Sequence, residues 1–102
     1  MTAAADAYAS AKAASDGMRA AIESARGPGG LNGHEPKDLE NRLTRFDRAL
    51  DKRDPNAARD EADALATQVT KLIDQGSIDA QAAAGLASAA DRLVAAANDL
   101  PA

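Results

Sequence analysis

The chain has 102 residues, of which 28 are alanine, with one Tyr, one Phe, no Trp and no Cys, and its 16 acidic and 12 basic side chains give a net charge of −4. That length makes a single domain, which buries about two-thirds of its unfolded surface. Without cysteine there is neither a disulfide framework nor a thiolate zinc site. A net-acidic, aromatic-poor chain is ill suited to phosphate backbones or stacked bases, so nucleic acid is not an expected partner.

Alanine at this density means either low complexity or helix, and the periodicity decides for helix. Apolar or small residues recur at 3, 4 spacing in four windows. The first covers about residues 2–25, with Ala4, Tyr8, Ala11, Ser15, Met18, Ile22 and Ala25 on one narrow face. Residues 26–36 follow, holding four of the seven glycines and two of the four prolines, a stretch no helix crosses and one that reads as a linker-like loop. The second helix spans about 36–53 and carries Leu39, Leu43, Phe46 and Leu50, with Pro36 in its first turn and Asp38 and Glu40 near the positive end of its dipole.

Asp54-Pro55 repeats that opening, Asp54 as N-cap and Pro55 at the first helical position, so the second and third helices meet in a tight turn. The third helix covers 55–75 with Ala58, Ala62, Leu65, Val69 and Leu72, and Gly76 is placed to end it in a left-handed conformation. Ser77 or Asp79 caps the fourth, over 79–98, and Ile78 packs back over the junction. Its apolar face reads Ala83, Leu86, Ala90, Leu93, Ala97 and Leu100. Short connections make neighbouring helices antiparallel. The predicted fold is all-α, a small up-and-down antiparallel bundle of four helices, or of three with a loosely packed N-terminal helix. Small side chains bury little area each, so stability rests on the other apolar residues, centred on Leu43, Phe46, Leu65, Val69, Leu72, Leu86 and Leu93. The high helix propensity of alanine partly offsets that thin core.

Charge is uneven along the chain. Residues 37–53 hold six basic and four acidic side chains, for +2, whereas residues 54–75 hold two basic and five acidic, for −3. Arg42, Arg45, Arg48 and Lys52 recur every three or four residues and form a stripe, a candidate docking surface for an anionic partner. The plainer reading is a solvated face held by intrahelical pairs to Asp38, Asp47 and Asp51.

Motifs for catalysis or metal binding are incomplete. His34-Glu35 resembles the start of a His-Glu-x-x-His zinc motif, but position 38 is Asp and Pro36 blocks the helix that would align two ligands. Around Gly76-Ser77-Ile78 the ligand positions of a calcium loop fall on Lys71, Ile73, Gln75 and Ala82, and the glycine-rich stretch from Gly27 to Gly33 misses the dinucleotide fingerprint and follows no strand. Ser10, Ser15, Ser24, Ser77 and Ser88 have only His34 as a possible base, so a nucleophilic triad is not expected. Asp60, Glu61 and Asp63 read as solubilising charges on the third helix. No catalytic activity, cofactor or metal is expected.

Leu39-x-x-x-Leu43, Ala49-Leu50-Asp51, Ala57-Ala58, Leu65-x-x-x-Val69, Ile78-Asp79 and Ala82-Ala83-x-x-Leu86 follow one another over about 60 residues. This stretch resembles the FIMAH and FIVAR type of small helical module. In that pattern an Ala-Leu pair ends one helix, a Gly-Asn turn follows, and an Ala-Ala pair opens the next; here Arg53-Asp54 stands in place of the Gly-Asn step. The pattern is also similar to the extracellular tail of some actinobacterial receptor-like serine/threonine protein kinases. The resemblance implies a non-enzymatic interaction or sensor module, extracellular or at the cell surface, with a protein or cell-wall-type ligand and with any membrane helix and kinase upstream of Met1. No apolar run approaches the roughly 18 residues that cross a bilayer, so this chain itself is not expected to insert, and its N-terminus lacks the order of a signal peptide. A WXG100-like secreted hairpin, which would lack its Trp-x-Gly turn here, and a cytosolic helical adaptor are the alternatives.

Overall fold

A computed structural model describes residues 3–27, 30–31, 33–76 and 78–101, with side chains from Asp6 onward. Four helices follow one another: α1 (Ala3–Ala25), α2 (Glu35–Asp51), α3 (Pro55–Asp74) and α4 (Ala80–Asn98). The expectations on residue 2 as the start of the first helix and on Ser77 as a cap lie outside the described residues, and that on Ala4 in its apolar face lies outside the described side chains.

Local chemistry accounts for the ends. The Asp54 carboxylate accepts the Ala57 N–H at 3.1 Å and the Asp79 carboxylate accepts the Ala82 N–H at 2.8 Å, each satisfying one of the orphan donors that open a helix. Gly76 ends α3 at φ +76, a left-handed conformation that only glycine adopts without steric cost. The α2 terminus departs from expectation, because the helix stops at Asp51 rather than at Arg53. Arg53 takes φ +56, its N–H donates to Leu50 O at 3.0 Å, and the Asp54 N–H donates to Ala49 O at 2.9 Å. These are the paired bonds of a Schellman turn, built on arginine at the position glycine usually holds.

Each helix packs against two neighbours: α1 on α2 and α4, and α3 on α2 and α4, closing a square ring 44 Å long and 19 Å across. Cross-contacts fix the directions as antiparallel. Early α1 meets the end of α2 where the Arg53 guanidinium stands 4.3 Å over the Tyr8 ring, Arg42 of α2 reaches Gln68 late in α3, and Arg59 early in α3 donates to Leu100 O beyond α4. The expected central residues Leu43, Phe46, Leu65, Val69, Leu72, Leu86 and Leu93 are all buried.

Two expectations need correction. The alternative of a loosely packed first helix does not hold, because Tyr8, Ala11, Met18, Ile22 and Ala25 are buried in the common core. Small residues narrow the face without loosening it, since alanine lets helix axes approach closely. Nor is the 26–36 stretch merely a linker. Leu31 is 1% exposed and joins the core, held by its N–H to Ala25 O at 2.6 Å. At Gly30 a Cβ would fall 1.9 Å from Ala25 O, so only glycine lets the chain fold back there.

Candidate interaction surface

Arg42, Arg45 and Arg48 follow one another at 3, 3 spacing along α2, and Lys52 stands at its C-cap, about 15 Å beyond Arg42 at the helical rise. The intrahelical pairs expected to neutralise this stripe are not those that form. Asp47 instead faces α1, where its carboxylate accepts the Ser15 hydroxyl at 2.6 Å and Arg19 Nη2 at 3.0 Å and lies 3.6 Å from Lys12 Nζ. Ser15 is fully buried, so the carboxylate supplies the partner that its hydroxyl requires. Asp47 is thereby assigned to holding α1 on α2.

The stripe borders the groove between α2 and α3, which divides into two open clefts. The first, about 510 Å³, is lined from α2 by Asp38, Asn41, Arg42 and Arg45 and from α3 by Ala64, Thr67, Gln68 and Lys71. Here Arg42 is half-buried, its Nε donating to Gln68 Oε1 at 2.5 Å. That bond occupies one of the five guanidinium donors and fixes the plane of the fork. Arg45 and Lys71 are exposed, and among the described residues neither has a hydrogen-bond or ion-pair partner.

The second cleft, about 420 Å³, continues toward the α2–α3 turn. It sets Arg45, Arg48 and Lys52 opposite Asp54, Asp60 and Glu61. Its formal charges cancel, three against three, and among the described residues the three cations are in no ion pair. The stripe is thus not one uniform surface: its α2 N-terminal half carries an excess of positive charge and its C-terminal half does not.

Sequence reasoning missed Lys71, Gln68 and Thr67. The signal was present in the 3, 4 spacing that aligns residues 64, 67, 68 and 71 on one face of α3, but the acidic total of that segment masked its single local cation. His34 is exposed and precedes α2 without a side-chain capping bond. Asp60 and Asp63 are exposed and Glu61 is half-buried. Among the described residues no three His, Cys, Asp or Glu side chains converge to hold a metal ion, and no helix is long and apolar enough to cross a membrane.

A ring of four antiparallel helices, with charged groups on its outer faces and with the start of α1 and the end of α4 near one pole, defines a class: the small all-α module. The family model of the FIMAH domain matches residues 15–95, and the chain belongs to the FIMAH domain family. The match begins within α1 and so takes in more of the chain than the Leu39 to Leu86 stretch that carries the sequence resemblance. No curated protein and no solved structure matches the chain. FIMAH domains are small helical modules often appended to surface proteins.

Proposed function

We propose that this chain is a non-enzymatic docking or sensor module displayed at the cell surface, as part of a secreted protein or as the ectodomain of a receptor-like serine/threonine kinase. One observation carries the docking role: Arg45, Arg48, Lys52 and Lys71 gather along the α2–α3 groove and, among the described residues, are in no ion pair, whereas Lys12, Arg19 and Arg26 on the other side of the bundle are paired. A chain of net charge −4 that keeps the first of the two clefts cationic has a local field there opposite to its global one, which suits recognition of an anionic partner. Family membership supports the surface setting.

Two measurements test this reading. Protease treatment of intact cells should cleave the module in its native protein while cytoplasmic markers survive. Protection of the module until lysis would refute the surface assignment. The coding sequence around it should contain a membrane helix or an export signal, and a kinase catalytic domain on the other side of the membrane is the outcome that would single out the receptor reading.

A further inference from the structure

The cleft lined by Arg42, Arg45 and Lys71 has a composition that identifies a ligand more narrowly than charge alone. It combines a guanidinium already oriented by Gln68, two unpaired cations and the neutral hydrogen-bonding groups of Asn41, Thr67 and Gln68. Asp38 is the one acid on its rim, leaving an excess of positive charge. A planar guanidinium pre-set in this way offers its remaining N–H donors to a carboxylate in paired geometry. Amides and a hydroxyl beside it both donate and accept, which suits ligand hydroxyl groups.

Other polyanions fit less well. A nucleic acid would need exposed rings to stack its bases, whereas Phe46 is buried and Tyr8 is 8% exposed beneath Arg53. A helical peptide docking in a groove needs apolar anchors and pockets to take them, but Ala64 is the only apolar residue among the described residues that line the cleft. A ligand that carries carboxylates and hydroxyls together on a stiff chain matches both the cations and the neutral groups of the cleft, and it loses little freedom when bound.

We infer that the cleft between the first half of α2 and the second half of α3 binds an acidic glycan of the uronate type. Arg42 grips a carboxylate, Arg45 and Lys71 flank it, and Asn41, Thr67 and Gln68 take the ring hydroxyls. This inference rests on the docking role proposed above and adds the ligand class. Because the contacts are charge-assisted and partly open to solvent, affinity falls as salt rises.

The test is calorimetric and NMR titration of the chain with a short oligogalacturonate at low ionic strength, in parallel with its methyl-esterified counterpart and with polyglutamate. The acid form should bind and shift the amide signals of residues 38–45 and 64–71, and the ester should not. Arg45→Glu and Lys71→Glu, both at exposed and unpaired positions, should each weaken binding about tenfold without altering the helical signal, as reversal of a charge at an anion's side does. Arg42→Lys, which keeps the charge but loses the fork, should also weaken it, while Lys52→Glu in the second cleft should change it less than about twofold. Equal binding of the ester, or wild-type affinity in Arg45→Glu and Lys71→Glu, would overturn the inference. Polyglutamate binding to this cleft in place of the glycan would overturn the ligand class but leave the docking role standing. Binding of neither polymer would remove the site, and the surface setting would still be judged by the protease experiment.

Discussion

Arg53 is the residue whose replacement tests the turn chemistry most directly. It holds φ +56 in the Schellman turn after α2 and stacks its guanidinium 4.3 Å over the Tyr8 ring, so one side chain carries a backbone cost and an attractive contact together. The left-handed conformation costs a residue with a Cβ about 1–2 kcal/mol that glycine avoids. The cation–π contact, on an arginine exposed to water, contributes about 0.5–1 kcal/mol. Arg53→Ala keeps the strain and loses the contact, and should destabilise by about 0.5–1 kcal/mol. Arg53→Gly loses both, and should leave stability unchanged or raise it by up to about 1.5 kcal/mol. The two variants are compared by urea denaturation followed by circular dichroism, supported by thermal scans in which each kcal/mol moves the midpoint by roughly 4–8 °C. Adding Tyr8→Leu isolates the ring, since in that background Arg53→Ala should cost almost nothing. Equal midpoints for Arg53→Ala and Arg53→Gly would refute the assignment of strain to this turn. An unaltered cost of Arg53→Ala after Tyr8→Leu would refute the contact with the ring.

Three further perturbations follow from burial and bonding. Asp47→Ala removes the acceptor of the fully buried Ser15 hydroxyl and should cost about 2–3 kcal/mol, with Ser15→Ala in the same chain recovering part of the loss; no recovery would show that the hydroxyl finds another partner. Leu31→Ala should cost about 2–4 kcal/mol by denaturant titration if the loop seals the core, whereas a loss under about 0.5 kcal/mol would return that loop to the status of a linker. Gly17→Ala and Gly85→Ala lie inside α1 and α4 with nothing beyond the adjoining residues and the helix's own backbone within 4 Å of the added methyl, so each should stabilise by about 0.5–1 kcal/mol, and destabilisation of either would mean that its helix does not run as described.

Much of the fold is legible residue by residue because the signals are local. Asp54 with Pro55 and Asp79 before Ala80 announce helix starts through bonds that span three residues, and Gly76 announces a stop through its own φ. Leu43, Phe46, Leu65 and Leu93 declare a buried face by spacing alone. The α2 stop was misplaced because nothing in the side chain of Arg53 signals a left-handed backbone. The candidate site was half legible: the α2 row of Arg42 and Arg45 follows from spacing, but Gln68 and Lys71 join it from a helix more than twenty residues away.

The amino-acid sequence by itself determined the four helices, their caps and the apolar stripe each one buries, since these depend on contacts within a turn or two of the chain. Only the tertiary structure decided how those helices rotate against one another and at what axial offset. That rotation turns Asp47 toward Ser15 and Arg19 instead of toward the arginines of its own helix, presses Leu31 into the core, and sets Lys71 beside Arg42 and Arg45. The physical reason is range: a charged side chain reaches only a few ångströms, so its partner is whichever group packing brings within that distance, however far away it lies in the chain.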